Sequence, residues 1–186
     1  GNRAKVIKII EKSIVTESAV REVEVKDGCF VPGGGLLKLA VVERHKGTGN
    51  VGLAILEGFG LKGGAIATSV AHDSHNLIVV GDNDEDMLLS IRELGKAGGG
   101  ITICSGGKVL KTLPLEIAGL LSTLPAGQFS KLYAELQETA YKMGVNQGIE
   151  PFMTLSFMSL AVIPHLKVTD LGLFDVDKFT FTETDA

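Results

Sequence analysis

Short β-forming segments joined by short turns make up most of the first 81 positions of this 186-residue chain. The turns are rich in glycine, as at residues 33–35 and 47–49. Neighbouring strands joined in this way run antiparallel, because a parallel pair needs a crossover of a dozen residues or more. The predicted strands cover residues 19–25, 36–42, 51–56, 65–70 and 76–80, after a strand or entry segment at residues 5–10.

Two amphipathic helices and a hairpin are predicted in the second half of the chain. Asn83 is suited to cap a helix that ends at the glycines 98–100, and the acidic residues 84–86 favour the positive end of that helix. A second helix is predicted from about residue 125 to residue 143, and the tail from residue 151 onward is predicted to be strand or extended. This order predicts one α+β domain over residues 1–186, with a mostly antiparallel or mixed sheet and two main helices packed on it.

Composition excludes several functional classes. The net charge is −4 and the basic residues are scattered, so we expect no nucleic-acid partner. The longest apolar run, residues 155–164, is about half of the ~20 residues that a membrane span requires, so we expect no membrane segment. No signal-peptide pattern is seen, and two distant cysteines, Cys29 and Cys104, suit a reducing compartment. We therefore expect a cytoplasmic protein.

The most unusual stretch places five polar side chains between two apolar segments. These are His72, Asp73, Ser74, His75 and Asn76. Each polar group buried there without a partner would cost about 1–3 kcal/mol, so the stretch either forms a hydrogen-bonded corner or does chemistry. Two histidines and a carboxylate can bind a transition metal or exchange protons. On a strand the two histidines would face opposite sides, so a shared role requires a bend.

Other candidate residues depend on where the fold places them. Glu43 and His45 end a predicted strand, and they gain functional interest only if they lie near His72. The acidic residues 82–86 are better explained by helix capping than by a cation site, because the alternating ligands of a calcium loop are missing. His165, next to Pro164, is predicted to be a surface or structural histidine.

Residues 58–63 match the GxGxxG pattern of dinucleotide-binding proteins, and Asp82 follows about 20 residues later. That pattern functions only when a helix begins within it and points its N-terminus at the phosphates. The segment that follows, residues 65–70, is strand-like. We therefore predict a turn between strands rather than a nucleotide site.

Metal-binding motifs are missing from the sequence. It contains no HExxH, HxH or CxxC motif, nor the HxE and PCxxC pair of zinc nucleobase deaminases. From spacing alone, this chain is not expected to hold a complete metal site.

Nearly the whole chain, read in order, resembles the C-terminal domain of bacterial adenine deaminase, a member of the amidohydrolase superfamily. The segments that carry the resemblance are residues 42–45, 49–52, 58–61, 64–76, 79–81, 83–87, 98–100, 113–115, 151–157, 162–164, 166–170 and 172–176.

The resemblance implies a full-length hydrolase that converts adenine to hypoxanthine and ammonia in purine salvage. It also implies manganese or iron on an N-terminal (β/α)8 barrel of the same polypeptide, which activates water. The HxH motif of such barrels is missing here, and 186 residues cannot form a barrel of about 250 residues. We therefore expect this chain to bind no metal by itself, and homo-oligomer formation is left open.

Three hypotheses follow. In the first, His72, Asp73, Ser74, His75 and Asn76 contribute to the active site of the barrel, supported by Glu43 and His45. In the second, the chain is a non-catalytic binding or assembly module derived from this family. In the third, it is a self-contained metal hydrolase that uses His45, His72, Asp73 and His75.

Overall fold

A computed structural model describes residues 2–186 as a nine-stranded sheet, three α-helices and a three-stranded sheet near the C-terminus. The elements are β1 Asn2–Ile9, β2 Thr16–Lys26, β3 Cys29–Val31, β4 Leu36–Val42, β5 Val51–Glu57, β6 Ala65–Thr68, β7 Leu77–Gly81, α1 Asp84–Ala97, β8 Gly100–Ser105, β9 Lys108–Pro114, α2 Ala126–Lys142, α3 Pro151–Ser156, β10 Leu166–Thr169, β11 Gly172–Asp175 and β12 Thr180–Phe181. The large sheet has the order β3-β2-β1-β5-β4-β7-β6-β8-β9. No helix in this part of the chain has the length and apolar character that a membrane crossing requires.

The large sheet is antiparallel except for one short pairing. β1 and β5 run parallel, and they pair only at Ile7 with Leu56 and at Lys8 with Glu57. The chain's last residues pair with the first half of β1, where the Lys5 N–H donates to the Thr184 carbonyl over 2.7 Å. The predicted α+β class with a mostly antiparallel, mixed sheet is therefore confirmed.

Helices cover both faces of the sheet. α1 packs on a face of small side chains that includes Ala65, Ala67 and Val79, whereas α2, α3 and the small sheet cover the face that carries Ile66 and Ile78. The alternation follows from the period of two along a strand. Because β6 and β7 are buried on both faces, any polar side chains at their ends are placed by a rigid framework.

The prediction for residues 151–159 was wrong, because this segment is helical. α3 spans Pro151–Ser156, and a 3-10 turn continues through Ser159. The Glu150 carboxylate accepts the Met153 N–H and thereby caps the helix, and proline is favoured at the first helical position. The buried residues Phe152, Leu155 and Met158 recur at a spacing of three, which keeps them on one face of this short helical segment.

The N-terminus of α1 is built as predicted. The Asn83 side chain accepts the Asp86 N–H over 2.8 Å, and Gly98 ends the helix in the left-handed conformation. The buried Asp86 carboxylate accepts the N–H groups of Gly106 and Gly107. Capping and turn contacts therefore account for this acidic cluster.

The GxGxxG segment is a turn between β5 and β6, as predicted, and a strand follows it. The Asp82 carboxylate, at the spacing expected for a ribose ligand, instead accepts the N–H groups of Gly63 and Gly64 at 2.5 and 2.9 Å. The acidic residue thus closes the glycine turn itself.

Antiparallel pairing collects several loops at one end of the sheet, which we call the corner end. Residues 69–76, the corner loop, join β6 to β7 there. The corner end consists of residues 43–50, 69–76 and 115–121 together with the β10–β11 turn at residues 169–172. The glycine turn at residues 58–64 lies at the opposite end, so it cannot share a site with the histidines.

Candidate functional site

The corner loop supplies the bend that a joint role for its two histidines requires. β6 ends at Thr68, two residues earlier than predicted, and residues 72–74 form a turn. His75 adopts a positive φ of 51°. The rings of His72 and His75 consequently meet edge to face, with 5.7 Å between their centroids.

The helical segment at residues 151–159, which the sequence did not predict, contacts the corner loop and holds its backbone in place. The His72 N–H donates to the Ser156 carbonyl over 3.0 Å, and the Ser159 hydroxyl donates to the His72 carbonyl over 2.9 Å. The Phe157 ring lies 4.8 Å from the His72 ring. The backbone of His72 is therefore fixed on both sides, and the residue as a whole is only partly exposed.

Arg44 fixes the other end of the corner loop. Its Nε donates to the His75 carbonyl over 2.6 Å, and its Nη2 donates to the Ala118 carbonyl over 2.8 Å. The residue next to Ala118 is Gly119, where a Cβ atom would lie 2.7 Å from Arg44 Nη2, so a larger residue would displace the guanidinium. One half-buried cation thus joins three loops at the corner end.

The buried Asn76 side chain serves the framework. Its Nδ2 donates to Asp170 Oδ1 over 3.1 Å, and its Oδ1 accepts the Arg44 N–H over 3.4 Å. Asn50 donates to the other oxygen of Asp170 over 3.3 Å. Asp170 therefore clamps two loops of the large sheet to the small sheet, and the Asn76 amide is committed to that clamp.

Functional interest in Glu43 and His45 depended on proximity to His72, but the contacts show only that His45 reaches the corner loop at Ser74, whereas Glu43 bonds within its own loop. The Glu43 carboxylate accepts the N–H groups of His45, Lys46 and Thr48 at 2.5, 2.7 and 3.0 Å. These hydrogen bonds, chiefly the one from Thr48, hold the pKa of Glu43 at about 2. His45 Nε2 lies 2.8 Å from the Ser74 carbonyl, to which it donates. Glu43 thus shapes its own loop, and His45 supports the turn.

His75 lies in an environment that keeps it neutral. Burial lowers its pKa from the ordinary value of 6.5, and the neighbouring His72 and Arg44 lower it further, against an opposing effect of Asp73. Its Nδ1 is buried and has no hydrogen-bond partner among residues 2–186. A neutral imidazole that carries its proton on Nε2 leaves Nδ1 as a hydrogen-bond acceptor.

We expect this neutral state to be measurable by NMR. The imidazole of His75 should titrate below pH 6.5, because burial and the nearby cations disfavour its charged form. Ring-proton shifts of His75 followed from pH 4 to pH 9 would measure its midpoint, and a value above 6.5 would contradict this account.

The arrangement does not provide a metal site within residues 2–186. No group of three or more His, Cys, Asp or Glu side chains there is placed to hold an ion. The corner loop instead presents His72, Asp73 and Ser74 at the surface, and neither the His72 nor the Asp73 side chain hydrogen-bonds within the described chain. These groups can donate, accept or relay protons toward a molecule bound against the corner end.

The comparisons agree with one another. The family model described as the adenine deaminase C-terminal domain matches residues 13–180. An adenine deaminase from Nitratidesulfovibrio vulgaris is 57% identical over 96% of this chain, and one from Desulfatibacillum aliphaticivorans is 49% identical over 97%. An adenine deaminase from Lysinibacillus sphaericus is 45% identical over the whole chain. This chain spans about one third (32%) of the length of each of these relatives. The chain therefore belongs to the adenine deaminase C-terminal domain family.

Proposed function

We propose that this chain is the C-terminal third of an enzyme that hydrolyses adenine to hypoxanthine and ammonia. Its relatives carry the name adenine deaminase and are about three times as long. In this proposal the corner loop faces the substrate, which is bound by the N-terminal part of the same polypeptide. Purine salvage by this reaction would place the enzyme in the cytoplasm.

A catalytic role is supported by one observation: within the corner loop, the groups that hold the loop in place differ from the side chains that are free to bind a ligand. Backbone atoms, Asn76 and Arg44 make the contacts that hold it, whereas the side chains of His72 and Asp73 are left free of hydrogen bonds within residues 2–186. Polar groups on a rigid, preformed support are the usual components of a substrate-binding site, because little entropy is lost when they engage a ligand. His72 and Asp73 can therefore hydrogen-bond the purine ring or relay protons at its edge.

The described residues of this chain do not form a site for the metal that such an enzyme would use. His45, His72, Asp73 and His75 do not form a group that could hold an ion in the described part of the chain. The third hypothesis, a self-contained metal hydrolase, therefore has no site here to support it. We propose that manganese or iron is bound by an N-terminal amidohydrolase barrel, where its chemistry is to activate water.

The test is made in the full-length polypeptide. His72→Ala and Asp73→Asn are each expected to lower kcat/KM about tenfold to a hundredfold, the effect of losing one or two hydrogen bonds to the reacting substrate. Bound metal, measured by elemental analysis, should be unchanged. His165→Ala is the matched control, because it removes a surface histidine that lies outside the corner loop.

The outcomes separate the remaining hypotheses. Loss of kcat/KM with unchanged metal content and unchanged thermal stability supports the catalytic contribution. Wild-type kinetics in both variants would leave only the second hypothesis, a non-catalytic binding or assembly module. If the full-length polypeptide does not deaminate adenine at all, the proposed reaction itself is wrong.

A further inference from the structure

The corner end carries an unusual concentration of exposed apolar side chains. Six large hydrophobic residues within the corner end or on segments next to it are between 50% and 68% exposed. They are Val51, Ile117, Leu121, Met153, Val162 and Leu171. At the opposite end of the sheet, residues 58–64, 82–83 and 105–108, which belong to the described chain, include no exposed large hydrophobic residue. Exposed large hydrophobic residues also occur elsewhere, such as Ile14, Leu88 and Phe179, so exposure alone does not define the surface.

Four of these six residues lie close in sequence to residues that hold the loops of the corner end together. Leu171 follows Asp170, which binds Asn76, and Val51 follows Asn50, which binds the same carboxylate. Leu121 and Ile117 flank the loop whose Ala118 carbonyl accepts from Arg44.

The other two residues lie in α3 and in the segment after it. Met153 and Leu120 line a hollow of about 150 Å³ that also includes Val70 of the corner loop. Val162 lies three residues after Ser159, which binds the His72 carbonyl. We call these six exposed residues, which lie on segments near the corner loop, the apolar rim.

An apolar rim around polar groups is the arrangement that seals a reaction chamber. Apolar contacts exclude water, and excluding water strengthens every hydrogen bond formed inside. Exposed apolar side chains grouped around a polar site also favour a protein–protein contact over a solvated face. We therefore expect a protein surface to pack against the apolar rim and to leave space for a substrate above the corner loop.

We infer that the apolar rim is the surface on which this domain docks against the N-terminal two thirds of its own polypeptide. The inference rests on the proposed function, because it is the substrate-binding part that the corner loop must face. The relatives supply the length of this occupant, since the chain covers only 32% of each of them. A peptide ligand or a second copy would leave the corner loop without the substrate-binding part against it.

Hydroxyl-radical footprinting of the full-length polypeptide tests the docking surface independently of activity. Leu121, Met153 and Leu171 should lose most of their side-chain reactivity in the folded enzyme, relative to the same protein unfolded in urea. Leu88 on α1 and Leu110 on β9, which are 51% and 46% exposed in this domain, are the matched controls and should stay reactive. Equal reactivity of the rim and control residues would overturn the inference.

Two variants complete the test. Leu121→Asp combined with Leu171→Asp places two carboxylates in the docking surface, so it should release the domain and increase the radius of gyration measured by X-ray scattering. Leu88→Asp should leave the radius unchanged. Rim protection that disappears on dilution to monomers would identify a second copy as the occupant and contradict docking within one polypeptide. Footprinting should also be measured in His72→Ala. Rim protection in that variant is expected to stay intact whether or not activity is lost, so the docking inference is tested separately from the proposed function.

Discussion

Replacement of Gly52 by alanine is expected to destabilise the domain by about 3 kcal/mol or more, because the new side chain has no space. A Cβ atom on Gly52 would lie 1.7 Å from the carbonyl oxygen of Thr169 and 2.9 Å from the backbone nitrogen of Gly172. Both neighbours are backbone atoms of the β10–β11 turn, so no side-chain rotation can relieve the overlap. Either the turn must move away from β5 or the strand must distort.

The displaced turn also carries Asp170, so the substitution should affect the corner loop. Asp170 holds Asn76 and Asn50, and these two contacts are what fasten the small sheet to the loops of the corner end. If the turn moves outward, Asn76 is left buried with an unpaired amide, which costs a further ~1–3 kcal/mol, as for any single hydrogen-bonding group in a protein core. If the proposed function holds, Gly52→Ala in the full-length polypeptide should therefore lower activity together with stability.

Urea unfolding followed by circular dichroism measures the effect, and Gly95→Ala provides the matched control. Gly95 lies in α1 and is exposed, and a Cβ atom added there would have no other atom within 4 Å. Alanine at that helical position should stabilise the domain by about 1 kcal/mol. Equal midpoints for Gly52→Ala and the wild type would show that the small sheet is not packed on β5 as described.

The elements that the sequence predicted well are those whose signals are local. The short glycine turns required antiparallel neighbours, and the Asn83 cap together with Gly98 defined α1 to within a residue. Helix α3 was missed because its signal, a proline after Glu150, lies beside residues of high β propensity such as Phe152 and Thr154. The buried apolar residues at a spacing of three were the available clue.

The candidate site was predicted less completely because its contacts join distant parts of the chain. Arg44 meets Ala118 across 74 positions, and Asn76 meets Asp170 across 94. No periodicity of one segment can reveal such pairs. The polar run 72–76 did locate the corner loop, but the sequence could not show that Asn76 holds the framework while His72 and Asp73 remain available.

Replacement of Lys167 by methionine is expected to stabilise the domain by about 2 kcal/mol at pH 7. Lys167 lies in β10 and is fully buried, and its ammonium group donates one hydrogen bond, to the Ile14 carbonyl over 3.2 Å. Burial lowers the pKa of Lys167 from its ordinary value of 10.5 to about 8, which corresponds to a cost of about 3 kcal/mol for keeping the charge. Loss of the bond to Ile14 offsets about 1 kcal/mol of the gain.

The dependence on pH has a definite sign. The folded protein releases the Lys167 proton at about pH 8, whereas the unfolded chain keeps it until about pH 10.5. The wild type therefore gains stability between these two values, and below pH 8 it carries the full cost of the buried charge. The advantage of Lys167→Met should be constant below pH 8, shrink above it, and become a disadvantage near pH 10.5. Lys142→Met, at an exposed helical position, should change stability by no more than about 0.5 kcal/mol at any pH.

Thermal unfolding of the wild type and both variants at pH 7 and pH 10 distinguishes the charge from packing. If methionine stabilised the domain only by filling space, its advantage would be the same at both pH values. If instead Lys167 were stabilised by its hydrogen bond more than it is penalised by burial, Lys167→Met would be the less stable protein at pH 7. Only a buried ammonium that is poorly compensated gives an advantage that fades with rising pH. The same comparison in the full-length enzyme would show whether the cost is retained when the domain is docked, because β10 and its turn carry Asp170, the residue that joins the small sheet to the corner loop.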